Sequence, residues 1–133
     1  MVEINYDTNP KHKTFKLTIQ GHAGQAEVGK DLVCASVSIL TYTAAHNVDF
    51  LKGVGAYTQP PVIILNEGDS VIECKVTEQG LYQNLATRLD AVVAGFRLLQ
   101  LSYPQYVTYK HNGKAEKPNY IATSRSRHEQ KGR

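Results

Sequence analysis

The chain has 133 residues, 41% of them apolar, and a formal net charge of +3. That is enough for one domain around one modest core, and no run of eighteen apolar residues exists, which excludes a membrane-spanning helix. The charge is uneven: from Lys110 onward seven Lys/Arg oppose two acids, a net of +5, which leaves residues 1–109 at −2. Met1 to Pro10 is polar and acidic where a signal peptide would have an apolar centre, so the expected location is the cytoplasm. In Val2-Glu3-Ile4-Asn5-Tyr6 apolar and polar residues alternate, as they do again in Phe15-Lys16-Leu17-Thr18-Ile19. With the turn signal Asp7-Thr8-Asn9-Pro10 between them, they predict a β-hairpin. Gly21 to Lys30 carries three glycines and little apolar content and reads as a mobile loop.

Asp31 is a good helix N-cap. Leu32, Val33, Val37, Leu40, Ala44 and Val48 then recur at helical spacing, which predicts a helix to about Leu51, stopped by Gly53 and Gly55. Val62-Ile63-Ile64-Leu65, Asn66-Glu67-Gly68-Asp69 and Val71 to Val76 read as strand, turn and strand. Leu85, Leu89, Val92, Val93, Phe96 and Leu99 mark a second amphipathic helix over about 81–101, and Tyr106 to Tyr109 reads as a last edge strand. The order β-β-α-β-β-α-β predicts an α+β fold: two layers, a small sheet packed with two helices, over residues 1–109. Residues 110–133 are polar and basic and read as a flexible tail.

There are two cysteines, Cys34 and Cys74. Two thiols without a C-x-x-C pair suggest neither a disulfide framework nor a structural zinc site, and no cluster supports a metal or another cofactor. With Asp31 as cap, Cys34 takes the third helical position, near unpaired N–H groups and the positive helix end, both of which favour a thiolate. His22, at the end of a strand, is placed to take the thiol proton and return it to a leaving amine. The N–H groups of the helix start are candidate oxyanion donors. Spacing alone leaves a blander pair of roles open: Cys34 as a small buried helix residue and His22 as a turn histidine. Asp31 serves as cap or as an orienter of His22. Ser38, one turn after Cys34, either bonds back to a helix carbonyl or makes a polar contact to the site. Cys74, in a strand pattern with Ile72 and Val76, reads as a core thiol. Gly24 to Asp31 nearly matches a phosphate-binding loop, but Asp31 stands where a hydroxyl residue should bind magnesium and its carboxylate would repel phosphate.

At Gly21-His22-Ala23 and Asp31-Leu32-Val33-Cys34-Ala35, followed by Val37-Ser38, the chain resembles the ribosomal-processing cysteine protease family, Prp, over roughly residues 1–109. The resemblance implies a small α+β homodimer. Cys34 would be its nucleophile, His22 its base and Gly21 a hinge for the loop that closes over peptide, with Asp31 and Ser38 supporting the site. It further implies an endopeptidase that removes the N-terminal extension of a large-subunit ribosomal protein during ribosome assembly. The basic tail departs from the family pattern. It suggests contact with ribosomal RNA and an alternative reading of the chain as a non-enzymatic ribosome- or RNA-binding module.

Overall fold

Alternation in the first twenty residues builds the centre of the sheet. In the computed structural model, which describes residues 1–22 and 28–115, β1 (Val2–Asn9) and β2 (Thr14–Gln20) form an antiparallel hairpin with Ile4 opposite Ile19 and Tyr6 opposite Leu17. Side chains two apart share a face. Val2, Ile4, Tyr6, Phe15, Leu17 and Ile19 therefore all point to one side and are buried. Glu3, Asp7 and Lys16 point to the other side and are exposed, with Asp7 directly opposite Lys16. β3 (Val62–Asn66) and β4 (Asp69–Lys75) form a second antiparallel hairpin, and β4 pairs with β2. β5 (Val107–His111) runs parallel to β1 on the far side, and β6 (Lys114–Ala115) closes that edge. The sheet order is β3-β4-β2-β1-β5-β6.

Both helices cover the apolar face. α1 (Val28–Phe50) buries Val33, Val37, Ala44 and Val48. α2 (Gln79–Ser102) buries Tyr82, Leu85, Leu89, Val92, Val93, Phe96 and Leu99. Each fully buried aliphatic or aromatic side chain contributes about 1.5–3 kcal/mol by leaving water, so one shared core explains why the two layers stay together. The helices touch closely where Gly95 faces Leu40: a Cβ at Gly95 would run into the Leu40 side chain. Arg88 of α2 fixes the other end of the contact, donating to the Asn47 side-chain carbonyl at 3.2 Å and lying 4.9 Å from the Phe50 ring centroid. α1 ends in a 3-10 turn (Leu51–Val54), and Gly55 at φ 70 donates back to it.

This is the α+β, two-layer architecture that the spacing predicts, with four differences in detail. The first helix starts at Val28, so Asp31 is its fourth residue and not its N-cap. An acidic residue suits a cap and a first turn equally well, because both lie at the positive helix end. Leu32 is exposed: Val33 takes the inward position beside it. A sixth strand follows β5, which is therefore not the edge. A turn through Asn112 and Gly113, both at positive φ, returns the chain as β6. Residues 110–115 thus belong to the sheet, and the remainder of the segment expected as a tail lies outside the described residues.

Candidate active site

The end of β2 cannot accept a side chain. Gly21 sits at φ 94, and a Cβ there would collide with the carbonyl oxygen of Met1. Its N–H donates to the Gly68 carbonyl at 3.0 Å, which ties the end of β2 to the β3–β4 turn. His22 follows directly. Its carbonyl accepts from the Met1 amino group at 2.6 Å, and its ring is exposed and lies against Gly68. A Cβ at Gly68 would run into ring atoms Cε1 and Nε2. Gly68, at φ 78, therefore lets the hairpin turn and leaves room for the imidazole.

Helical spacing supplies the opposite wall. Cys34, Val37, Ser38 and Thr41 are three or four apart and share one face of α1. Cys34 and Ser38 are exposed, whereas Val37 and Thr41 are buried. The Thr41 hydroxyl donates to the Val37 carbonyl at 2.7 Å, so it is already satisfied within the helix. Between these walls lies an open cavity of about 230 Å³. Gly21 and His22 line it from the segment just after β2; Cys34, Ser38 and Tyr42 from α1; and Leu65 to Gly68 from the β3–β4 hairpin. Ser70 closes the hairpin side, with its hydroxyl donating to the Asn66 carbonyl at 2.9 Å.

The sequence candidates Gly21, His22, Cys34 and Ser38 thus line a single cavity. Asp31 lies one turn earlier on α1, and its side chain is outside the described residues. The longer helix has a chemical consequence. Cys34 is its seventh residue and so lies beyond the first turn, where the four unpaired N–H groups and most of the helix-end field reside. Its side chain leans back toward that end, because Cα–Cβ bonds tilt toward the helix N-terminus. The helix end therefore acts on the sulfur more weakly than a third-position cysteine would feel.

Thr41, Tyr42 and the hairpin residues went unnoticed as lining groups. Thr41 and Tyr42 follow Cys34 by seven and eight positions, a helical interval that places them on its face. The hairpin carries no such local signal. The second thiol is different in kind. Cys74 is buried on β4 beneath Tyr57, and burial pushes its pKa from 9.0 up to about 12, against a lowering by the Tyr57 hydroxyl. Among the described residues no group of His, Cys, Asp or Glu could hold a metal ion, and no helix is long and apolar enough to cross a membrane.

Comparison with known proteins shows the family. Residues 1–108 match the family model described as cysteine protease Prp. The ribosomal processing cysteine protease Prp of Mycoplasma pneumoniae is 29% identical over 101 residues, covering 76% of this chain and 91% of that protein. Among solved structures, the essential ribosomal processing protease Prp of S. aureus, with a covalently linked product peptide, superposes with a TM-score of 0.59. It is 18% identical and covers 84% of this chain and 99% of that one. The same protease with a substrate peptide gives 0.58 at 16% identity and the same coverage. SMU.848 from Streptococcus mutans gives 0.58 at 23% identity, covering 84% of this chain and 93% of its own. At such identities the structural matches speak for the fold.

Proposed function

The chain belongs to the cysteine protease Prp family, and on that premise we propose that it removes the N-terminal extension of a large-subunit ribosomal protein during ribosome assembly, with Cys34 as nucleophile and His22 as general base and acid. The observation that carries this reading is the shared cavity: an exposed thiol from α1 and an exposed imidazole just past the end of β2 line one space of about 230 Å³.

In this mechanism His22 takes the proton of Cys34, and the thiolate attacks the carbonyl carbon of the scissile bond. The carbonyl oxygen becomes an oxyanion, for which the free N–H groups opening α1 are the candidate donors. The intermediate collapses to a thioester on Cys34, while the imidazolium hands its proton to the departing amine. Water, deprotonated by His22, then hydrolyses the thioester and frees the sulfur. Since Cys34 lies beyond the first helical turn, the imidazole carries most of the task of holding the thiolate. Gly21 supports a hinge role by its backbone, which no side-chain-bearing residue could adopt there. Ser38 supports a polar contact to the peptide by its exposure one turn from Cys34. Asp31 stands in the first turn, where a carboxylate steadies the helix end. The same reading takes the protein as a cytoplasmic homodimer. Exposed Ile39 and Phe50 on α1 and Leu98 on α2 are apolar surface that a second copy would cover.

The test is incubation with the extended ribosomal protein and mass analysis of the product. Wild-type protein shortens it and Cys34→Ala protein does not. Undiminished cleavage by Cys34→Ala would remove the assignment. The RNA-binding alternative rests on the basic residues from Lys110 onward. Deleting 116–133, which spares β6, separates the two: the protease reading keeps cleavage, and the RNA reading loses salt-sensitive RNA binding.

A further inference from the structure

The two edges of the sheet are built differently. One is β6, two residues long and bearing Lys114, a short charged edge of the kind that resists further pairing. The other is β3, whose Val62-Ile63-Ile64-Leu65 run carries no charge and no proline once Pro60 and Pro61 have passed. Val62, Ile64 and Leu65 are 43%, 47% and 38% exposed. A long, apolar, unprotected edge is a template for another strand.

The register says which groups are free. β3 and β4 are joined by the two-residue turn Glu67-Gly68, with Asn66 opposite Asp69. In an antiparallel ladder closed by a two-residue loop, the flanking pair is hydrogen-bonded, and bonded pairs alternate with unbonded ones. Asn66, Ile64 and Val62 therefore spend their backbone groups on β4. Ile63 and Leu65 direct theirs outward, where no strand of the described residues lies. β3 runs parallel to β2, because both are antiparallel to β4. It ends at the same end of the sheet as His22, and Leu65 and Asn66 line the cavity that holds Cys34. The hairpin from Val62 to Lys75 also carries Glu67, Asp69 and Glu73, all exposed, against one basic residue, Lys75 at the end far from the cavity.

We propose that the free edge of β3 takes an extended, basic stretch of the substrate peptide as an added strand, bonded through the backbone of Ile63 and Leu65, and delivers its scissile bond to Cys34. This rests on the protease reading above and adds how the peptide is held. Main-chain bonds of this kind give affinity with little demand on sequence, while side chains at alternate positions meet the cavity.

The experiment uses Cys34→Ala protein and a synthetic peptide spanning the N-terminal extension of the ribosomal protein and its cleavage point. Amide hydrogen exchange is followed by NMR with and without peptide. Exchange at Ile63 and Leu65 slows by about tenfold or more, and exchange at Val62 and Ile64, already bonded to β4, changes little. In wild-type turnover, N-methylating the peptide backbone raises KM by about tenfold at alternate positions on one side of the cleavage point and leaves the positions between unaffected. Cleavage of the unmodified peptide with unchanged exchange at Ile63 and Leu65 overturns the added strand and spares the protease reading. Protection at those two amides that grows with protein concentration and needs no peptide also overturns it, giving the edge to a second copy. Failure of wild-type protein to cleave the peptide at all sinks the protease reading, and this proposal with it.

Discussion

The two cysteines live in opposite conditions. Cys34 stands on α1 in an open cavity, exposed, across from an exposed imidazole. Cys74 stands on β4 within the core, beneath Tyr57, whose hydroxyl donates to the Val48 carbonyl at 2.8 Å. Burial disfavours the charged form of any acid, and it holds Cys74 as a thiol with its pKa pushed up to about 12. The same element of chemistry is thus a packing group at one site and a candidate nucleophile at the other. What separates them is access to water, to a base and to a peptide.

Replacing each cysteine by alanine, which removes the sulfur, sharpens the contrast most. Cys34→Ala lowers kcat/KM by roughly a thousandfold or more, as loss of a covalent nucleophile does, with thermal stability nearly unchanged because the side chain is exposed. Cys74→Ala leaves kcat/KM within about twofold and costs about 1 kcal/mol in denaturant titration, through lost core contacts. A Cys74 variant that lost activity per folded molecule would break the comparison. Next in size is the base. His22→Gln reduces kcat/KM by roughly 10²–10⁴-fold, read from initial rates of cleavage.

Gly68→Ala is expected to come third. The added Cβ must displace the His22 ring, and misplacing a catalytic group by about 1 Å can cost about a hundredfold. The substitution also strains a backbone at positive φ, by about 1–2 kcal/mol, so activity is measured per folded molecule. Unchanged turnover would show that the hairpin does not position the base. The smallest effect concerns pH. Cys74 has its folded pKa raised above the ordinary 9.0, and burial likewise raises Tyr6 and Tyr57 above 10.0. The unfolded chain releases these protons first. Stability from these groups is therefore complete below pH 9 and declines as pH rises from 9 toward 12. Urea midpoints fall over that window in wild type, and less steeply in Cys74→Ala. Equal slopes would mean that Cys74 titrates as a free thiol.

Much of this arrangement is legible in the chain, for identifiable reasons. Strict alternation from Val2 to Tyr6 and from Phe15 to Ile19 leaves only one face to bury, and both strands form with that face inward. The period of α2 is equally plain, from Leu85 through Leu99. The start of α1 is less plain: Val28-Gly29-Lys30 carries little apolar pattern, and Asp31 suits a cap or a first turn alike. The missing wall of the cavity is a matter of topology. Nothing near His22 in sequence names Gly68. They meet because β4 pairs with β2 so that Gln20 lies opposite Asp69, which brings the hairpin turn beside the strand end. The brief β6 was hidden because Lys114 and Ala115 have no strand pattern of their own and pair only by folding back on β5.

The central claim, that the sulfur of Cys34 becomes acylated in the course of cleavage, has a direct measurement. Wild-type protein is mixed with excess extended ribosomal protein, quenched in acid within the first turnover, and its intact mass and peptide map are recorded. The account predicts a transient mass increase equal to the N-terminal fragment less one water, carried as a thioester on Cys34 and absent from Cys74. Cleavage at full rate with both cysteines unmodified at every quench time, and persisting in Cys34→Ala, would contradict it.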